Sequence, residues 1–418
     1  MQFNIEYISI ISLLNIFIGE VTMYNTPKSN RLHITILGKR NVGKSSLINA
    51  LTNQSLSVVS DTPGTTTDPV SKAMELLPIG PVVFIDTAGI DDTGDLGELR
   101  IEKTNLAIEK TDLAILAFNA ADINISPEKE LYEILKSKKI PTIGVINKID
   151  LSNKYIDFFK KEFNIPFVEV SAKNKTNIVE FKQCIINNAP IDFEMPSIVG
   201  DIVKPKDKVI LVAPQDIQAP KGRLILPQVQ IIRDLLDNDC MALTIKDTEL
   251  SDLLASLKSD PSLIITDSQV FKKVTEIIPS NLRLTSFSIL MARYKGDLQT
   301  FVQGASVIDD LKSGDNVLIC EACTHHPKDG DIAREKLPRL LEKKVRGTLN
   351  ITNITGTDFP KDLSKYKLII QCGSCMFTRR QLLSRLEHVK SQNVPITNFG
   401  VALAKLNGIL NRSCDFLI

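Results

Sequence analysis

The chain has 418 residues, 43% of them hydrophobic, with 50 basic against 49 acidic side chains; that length suggests about two to four globular domains, each able to fill a core. A net charge of +1 leaves no basic footprint of the kind nucleic-acid binding uses, so nucleic acid is not expected as a partner. Seven cysteines, odd in number and irregularly spaced, argue against a disulfide-stapled scaffold and favour a reducing compartment, the cytoplasm.

Residues Ile8 to Ile18 are apolar, but no Lys or Arg precedes them, and Ser9, Ser12 and Asn15 interrupt a run too short to span a bilayer. No membrane association is expected, and residues 1–27 read as an extension upstream of the folded body, with Met23 a candidate start. From Arg31 strand and helix patterns alternate. The strand His33 to Leu37 runs into Gly38-Lys-Arg-Asn-Val-Gly43-Lys44-Ser45, a full phosphate-loop pattern with a helix from Ser46 to Thr52 behind it. Gly38, Asn41, Val42, Gly43, Lys44, Ser45 and Ser46 are the expected phosphate cradle, with the Ser45 hydroxyl offered to magnesium.

A strand Val82 to Ile85 ends in Asp86-Thr-Ala-Gly89, where Asp86 suits magnesium held through water and the Gly89 N–H suits a γ-phosphate. Strands Ala114 to Phe118 and Thr142 to Ile146 follow, the second ending in Asn147-Lys148-Ile-Asp150. A carboxylate such as Asp150 matches the two donors on guanine's edge, which adenine lacks, so GTP is the expected nucleotide. Ser171-Ala172-Lys173, after the strand Phe167 to Val170, completes the base pocket.

These motifs resemble the translation-factor-like GTPases of the TrmE and Era group. Pro63-Gly-Thr-Thr66-Thr-Asp68 stands where that group has its first switch, and Thr66 aligns with the magnesium-binding threonine. The resemblance implies catalytic roles for Lys44, Thr66, Asp86 and Gly89, and potassium near Asn41. Ile90 occupies the place where Ras-like enzymes carry a water-orienting glutamine; an apolar side chain cannot do that, so slow, potassium-stimulated hydrolysis is expected.

After the amphipathic stretch Ile178 to Asn188, Ala189 to Pro196 has two prolines and no periodicity and reads as a linker. A second alternation follows: strand Val209 to Val212, helix Gln228 to Leu236, strand Met241 to Ile245, helix Glu249 to Leu257 and strand Leu263 to Ile265. It carries no phosphate loop or catalytic constellation. Scaffolding with a dimer interface is the expected role, and Cys240 reads as a core thiol.

From about Leu282 a third α/β layer carries Cys320-Glu-Ala-Cys323-Thr-His325-His326 behind Val317-Leu-Ile319, and Cys372-Gly-Ser-Cys375 behind Leu368-Ile-Ile370. Four of seven cysteines in two short windows point to a metal. The 48 residues between Cys323 and Cys372 exceed the about 15–20 of a zinc ribbon, so a sheet must bring the pairs together. Helices are expected over Asp331 to Lys344, despite Pro338, over Phe377 to Lys390 and over Ala402 to Leu410, and a strand over Leu349 to Ile354.

Cys323-Thr-His325-His326-Pro, Phe359-Pro-Lys-Asp-Leu363, Cys372-Gly-Ser-Cys375-Met-Phe and Pro395-Ile-Thr-Asn-Phe-Gly400 resemble the HydF family of FeFe-hydrogenase maturation GTPases. The likeness covers residues 28 to 412. It implies an α/β protein of three domains, a P-loop GTPase (28–190) followed by two smaller parallel-sheet domains, one for dimerisation (191–279) and one for an iron-sulfur cluster (280–418). It further implies a 4Fe-4S cluster on Cys323, Cys372 and Cys375, with His325 matching the family's C-x-H histidine. The fourth iron position is left to His325, another side chain, water or cargo. The implied role is a scaffold that receives a diiron precursor from two radical-SAM enzymes and delivers it to apo FeFe-hydrogenase, as a homodimer or higher homo-oligomer.

Gln371 replaces a histidine common in that family, and Cys320 lies outside its motif and is set aside as a core thiol. Arg379 and Arg380 open a helix where the dipole disfavours cations; they read either as facing the cluster or its cargo or as solvated arginines on an exposed face. The alternative is a TrmE- or Era-like RNA-associated GTPase with a zinc-stabilised C-terminal domain; a thiol-based redox switch is a third reading.

Overall fold

The computed structural model describes residues 27–52, 70–89, 95–190, 197–214, 224–322, 331–356 and 358–418. The N-terminal extension up to residue 26, the first switch with Thr66, Ile90, most of the linker, and Cys323, His325 and His326 lie outside the described residues. The chain divides into two compact units, residues 1–194 and 195–418.

The first unit runs β1 (Leu32–Leu37), α1 (Lys44–Thr52), β2 (Val70–Leu76), β3 (Gly80–Asp86), α2 (Asp95–Ile108), β4 (Leu113–Asn119), α3 (Ser126–Ser137), β5 (Thr142–Asn147), α4 (Ile156–Glu162), β6 (Phe167–Glu169) and α5 (Ile178–Asn188). Its sheet has the order β2-β3-β1-β4-β5-β6, parallel except where β2 pairs antiparallel with β3. β1, β4 and β5 are near-continuous apolar runs because helices cover both faces. Ile34, Ile36, Ile115 and Val145 enter one core; Leu37, Leu116, Phe118 and Ile146 enter the other. Strand order reverses at β1, which opens a crevice at the carboxyl ends of β1, β3 and β4, where such sheets place ligands.

The second unit holds β7 (Lys208–Val212), α6 (Leu226–Asp237), β8 (Met241–Ile245), α7 (Leu250–Ser256), β9 (Leu263–Thr266), α8 (Phe271–Ile277), β10 (Leu284–Ser286), α9 (Phe287–Lys295) and α10 (Leu298–Ser306). It continues with β11 (Asn316–Glu321), α11 (Leu337–Val345), β12 (Asn350–Thr355), β13 (Leu368–Gln371), α12 (Arg379–Ser391), β14 (Ile396–Asn398), α13 (Phe399–Leu406) and α14 (Leu410–Cys414). Two parallel four-stranded sheets result, β10-β9-β7-β8 and β12-β11-β13-β14. One apolar core runs through both: Val209, Ile264 and Leu284 join Ile289, Phe301, Val317, Ile369, Ile396 and Val401. Arg412 of α14 ties the ends together by donating to the Leu282 carbonyl at 3.0 Å.

Three helix expectations need correction. Asp331 to Lys344 is not one helix: a π-helical turn over Ile332–Lys336 precedes α11. Pro338 cannot donate to a preceding turn and would clash with it, so the α-helix restarts with the proline in its first turn. The helix expected from Phe377 begins at Arg379 because Thr378 caps it: the Thr378 hydroxyl accepts from Gln381 N at 3.1 Å, and the Gln381 side chain accepts from Thr378 N at 3.0 Å. The helix expected over Ala402 to Leu410 is the end of α13 and the start of α14, with a turn at Gly408, φ +72°, between them.

Candidate functional sites

In the first unit the phosphate loop joins β1 to α1 across two glycines whose backbone no other residue suits. Gly38 has φ +148°, and a Cβ there would sit 2.6 Å from the Ala117 carbonyl oxygen; Gly43 has φ +95°, and its Cβ would sit 2.5 Å from Asn147 Nδ2. Between them Asn41 takes a left-handed conformation, φ 59°, and is exposed, whereas Val42 is buried. Lys44 is buried, and its Nζ donates to the carbonyls of Gly38 at 2.9 Å and Lys39 at 2.8 Å. Those carbonyls hold the ammonium over the cradle, where phosphate oxygens would compete for it. Ser46, on the first turn of α1, is half-buried.

Ser45 Oγ donates to Asp86 Oδ2 at 2.5 Å, so the two expected magnesium groups meet. Burial pushes the Asp86 carboxyl above its ordinary range, against the Ser45 hydrogen bond and the charges of Lys44 and Lys72. A buried carboxylate beside a hydroxyl fits a divalent cation, which would supply the missing positive charge. Gly89 approaches the loop so closely that a Cβ would lie 2.7 Å from Arg40 N. Lys72 on β2 is a cation the motifs did not reveal: it is buried, bonds Asn49 Oδ1 at 2.6 Å, and its charge acts on Asp86. A lysine in an alternating edge strand ordinarily reads as solvated.

Asn147 joins the two halves of this crevice. Its Nδ2 donates to the Val42 carbonyl at 2.9 Å and its Oδ1 accepts from Ala172 N at 3.1 Å. Lys148 is left-handed, φ 66°. Ser171 Oγ donates to Asp150 Oδ1 at 2.6 Å, and the Asp150 side chain stays exposed, available to a base edge. Lys173 is exposed.

In the second unit β11 lies between β12 and β13, so this sheet too reverses its order at a strand end. Cys372 directly follows β13, and its N–H donates to the Cys320 carbonyl at 2.8 Å. Three donors converge on Cys372 Sγ: Ala322 N at 3.1 Å, Ser374 N at 3.4 Å and Gln371 Nε2 at 3.6 Å. Burial pushes the Cys372 thiol up, and those donors work the other way by favouring the thiolate. The turn is closed by Ser374, φ 52°, whose carbonyl accepts from Phe377 N at 3.0 Å. Cys375 is half-buried.

Cys320 is fully buried within the apolar core, and burial raises its thiol to about 12, which suits a core residue and not a ligand. Among the described residues no three His, Cys, Asp or Glu side chains gather as a metal site; Cys323 and His325 are not among them. The donor set around Cys372 nevertheless fits a thiolate ligand.

Sequence reasoning missed two buried cations at this turn. Arg385 lies over Phe359 and Phe377, 4.4 Å and 4.7 Å from the ring centres, and donates to Gln371 Oε1 at 2.9 Å, which aims the Gln371 amide N–H groups at the sulfur and at Ser374 Oγ. Lys295, the last residue of α9, is fully buried; its Nζ donates to the carbonyls of Cys375 at 3.0 Å and Phe377 at 2.8 Å. Burial lowers it to about 8, with Cys375 acting in the opposite sense. A lysine ending an apolar helix gives no sequence signal of this kind. Arg379 and Arg380 are half-buried at the start of α12.

A phosphate loop with its base-recognition loops on one α/β unit, and a cysteine turn on a unit of two parallel sheets, define a protein of P-loop GTPase fold with an appended cysteine-bearing unit. Family models agree region by region: residues 33–148 match a 50S ribosome-binding GTPase, 198–296 the hydrogen maturase F dimerization domain and 299–416 the hydrogen maturase F tetramerization domain. The chain belongs to the hydrogen maturase F family.

Among curated proteins it is similar to the tRNA modification GTPase MnmE of Desulforamulus reducens, 32% identical over 160 residues, 37% of this chain and 34% of the relative. MnmE of Finegoldia magna is 34% identical over 175 residues, 41% of this chain and 38% of the relative. The chain thus spans about a third of the length of these relatives. Among solved structures, Era of Aquifex aeolicus bound to GDP and AlF4− aligns with 51% of this chain and 94% of its own at 21% identity and TM-score 0.36. The FeoB G-domain of Methanococcus jannaschii aligns with 38% and 97% at 22% identity and TM-score 0.31. Among the described residues no helix is long and apolar enough to cross a membrane.

Proposed function

We propose that the protein hydrolyses GTP with magnesium in its first unit and serves through its second as a scaffold for iron-sulfur cofactor assembly in FeFe-hydrogenase maturation. The observation that carries the reading is the set of three N–H donors on Cys372 Sγ at a sheet-order reversal, in a chain whose last two regions match hydrogen maturase F domains. Cys323, Cys372 and Cys375 would hold a 4Fe-4S cluster, with His325 a candidate for the remaining position. Three protein thiolates leave a coordination position for cargo, and that is what the group supplies when bound. The partners on this reading are apo FeFe-hydrogenase and two radical-SAM enzymes, in the cytoplasm.

In the GTPase unit Lys44 neutralises the outer phosphates, Ser45, Thr66 and Asp86 position magnesium, and the Gly89 N–H meets the γ-phosphate. Asp150, oriented by Ser171, selects guanine. Potassium near Asn41 stands in for an arginine finger because Ile90 cannot orient water. Equal turnover in potassium and sodium would remove the potassium role. Self-association fits the matched dimerization and tetramerization domains, and β8 is an outer strand with Met241 exposed, open to strand pairing.

The test is anaerobic purification with iron, sulfide and zinc analysis and electron paramagnetic resonance of the reduced protein. Iron and sulfide that are lost in Cys372→Ser support the scaffold. Zinc without iron favours an RNA-associated GTPase, and no metal favours a thiol switch.

A further inference from the structure

We propose that Lys295 is a positioning residue for the cluster site: a buried cation that clamps the Cys372–Phe377 turn and offers positive charge to the anionic thiolate-bound cluster. The inference rests on the scaffold reading above. Lysine is almost never fully buried without partners, because taking an ammonium out of water costs several kcal/mol or more. Here the side chain is 0% exposed, and its Nζ gives two hydrogen bonds to the turn that carries Cys372 and Cys375.

The clamp is specific in geometry. Cys375 and Phe377 are two residues apart, and both carbonyls turn inward to the same Nζ, while Ser374 adopts a left-handed conformation that closes the turn above it. An apolar side chain of equal length would leave those carbonyls without this donor. α9 contributes as well: Lys295 is its last residue, where the helix dipole favours a cation. A lysine needed only for that purpose would lie in solvent; this one is buried against the backbone of the cysteine turn. Two cations thus support the turn from different helices, Arg385 through the Gln371 amide and Lys295 through the backbone.

Reduction of a thiolate-bound cluster adds an electron and hence negative charge, and cluster potentials follow net charge and hydrogen bonding. Lys295 therefore favours the reduced form as well as retention of iron. The experiment compares wild type, Lys295→Met and Lys295→Gln, each full length and reconstituted anaerobically. Iron and sulfide content, resistance to an iron chelator, midpoint potential by electron paramagnetic resonance and melting of the unloaded protein are measured. Lys295→Met is expected to lose about 10- to 100-fold in iron affinity, as outer-shell changes do, and to reduce at a lower potential. Lys295→Gln, which keeps a donor and lacks the charge, is expected to retain iron better than Lys295→Met with a similar lowering of potential. Should Lys295→Met fail to fold, the potential of Lys295→Gln decides. Variants that hold iron as firmly as wild type and reduce at the same potential overturn the proposal while the scaffold reading stands. A wild-type protein that takes up no iron or sulfide overturns both.

Discussion

Replacing Asn147 tests whether the nucleotide crevice is held together before any nucleotide arrives. Asn147 is 2% exposed and bridges the phosphate loop to the base loop through the Val42 carbonyl and the Ala172 N–H. In Asn147→Ala the buried Val42 carbonyl and the half-buried Ala172 N–H lose their partner, at about 1–3 kcal/mol for a buried group left unsatisfied and less for a half-buried one. A total of about 3 kcal/mol lowers the melting temperature of a unit this size by roughly 6–12 °C. Asn147→Asp sharpens the test, since it keeps the acceptor for Ala172 but turns an oxygen toward the Val42 carbonyl; it should melt no higher than Asn147→Ala. The assay is far-UV circular dichroism of nucleotide-free protein, with the first unit's transition identified by its rise on adding GDP. Melting of Asn147→Ala within 2 °C of wild type, against the roughly 6–12 °C expected, would refute the bridge.

Asp150→Asn should weaken GTP binding by about 10-fold or more, the loss of a charge-assisted pair, and improve xanthosine triphosphate binding, whose ring carbonyl can accept from the new amide; fluorescent-nucleotide titrations read both. His33 is held down to about 4 by burial, opposed by its bond to the Arg31 carbonyl. With an unfolded value near 6.5, it contributes about 3 kcal/mol of stability, fully present above pH 6.5 and lost as pH falls through 4. His33→Asn should flatten that part of the pH dependence, measured by urea unfolding of nucleotide-free protein. Cys320→Ala should leave iron stoichiometry unchanged, and loss of an iron would return Cys320 to the ligand set. Met241→Lys on β8 should shift sedimentation toward smaller species, whereas an unchanged distribution would place the subunit contact elsewhere.

Motif-bearing strands were legible because each couples an apolar run to a chemically demanding loop: β1 to the phosphate loop, β3 to Asp86, β5 to Asn147, β13 to Cys372. β4, β7, β8, β9 and β12 were legible from their strand-like runs alone, whereas β2, β10 and β14 were not. β2 is an antiparallel edge whose Val-Ser-Lys-Ala-Met-Glu-Leu pattern mixes polar and apolar residues, and β10 and β14 have three residues each, too few for a period. The base pocket was read as a set of ligand contacts, yet Asn147 also binds its own chain, a role that distance along the sequence hides. Lys295 and Arg385 were invisible for a related reason: a cation's partners, not its identity, decide whether it is solvated or buried. Lys295 lies 80 residues from Cys375, and only the packing of α9 under the turn joins them.

The apolar core shared by the two sheets of residues 195–418 has a thermodynamic consequence. β9 and β13 belong to different sheets, yet Ile289 and Phe301 pack in the same interior as both. A substitution that loosens that interior beneath one sheet is therefore expected to weaken the other with it, so that the strand edge at β8 and the cysteine turn melt in one transition.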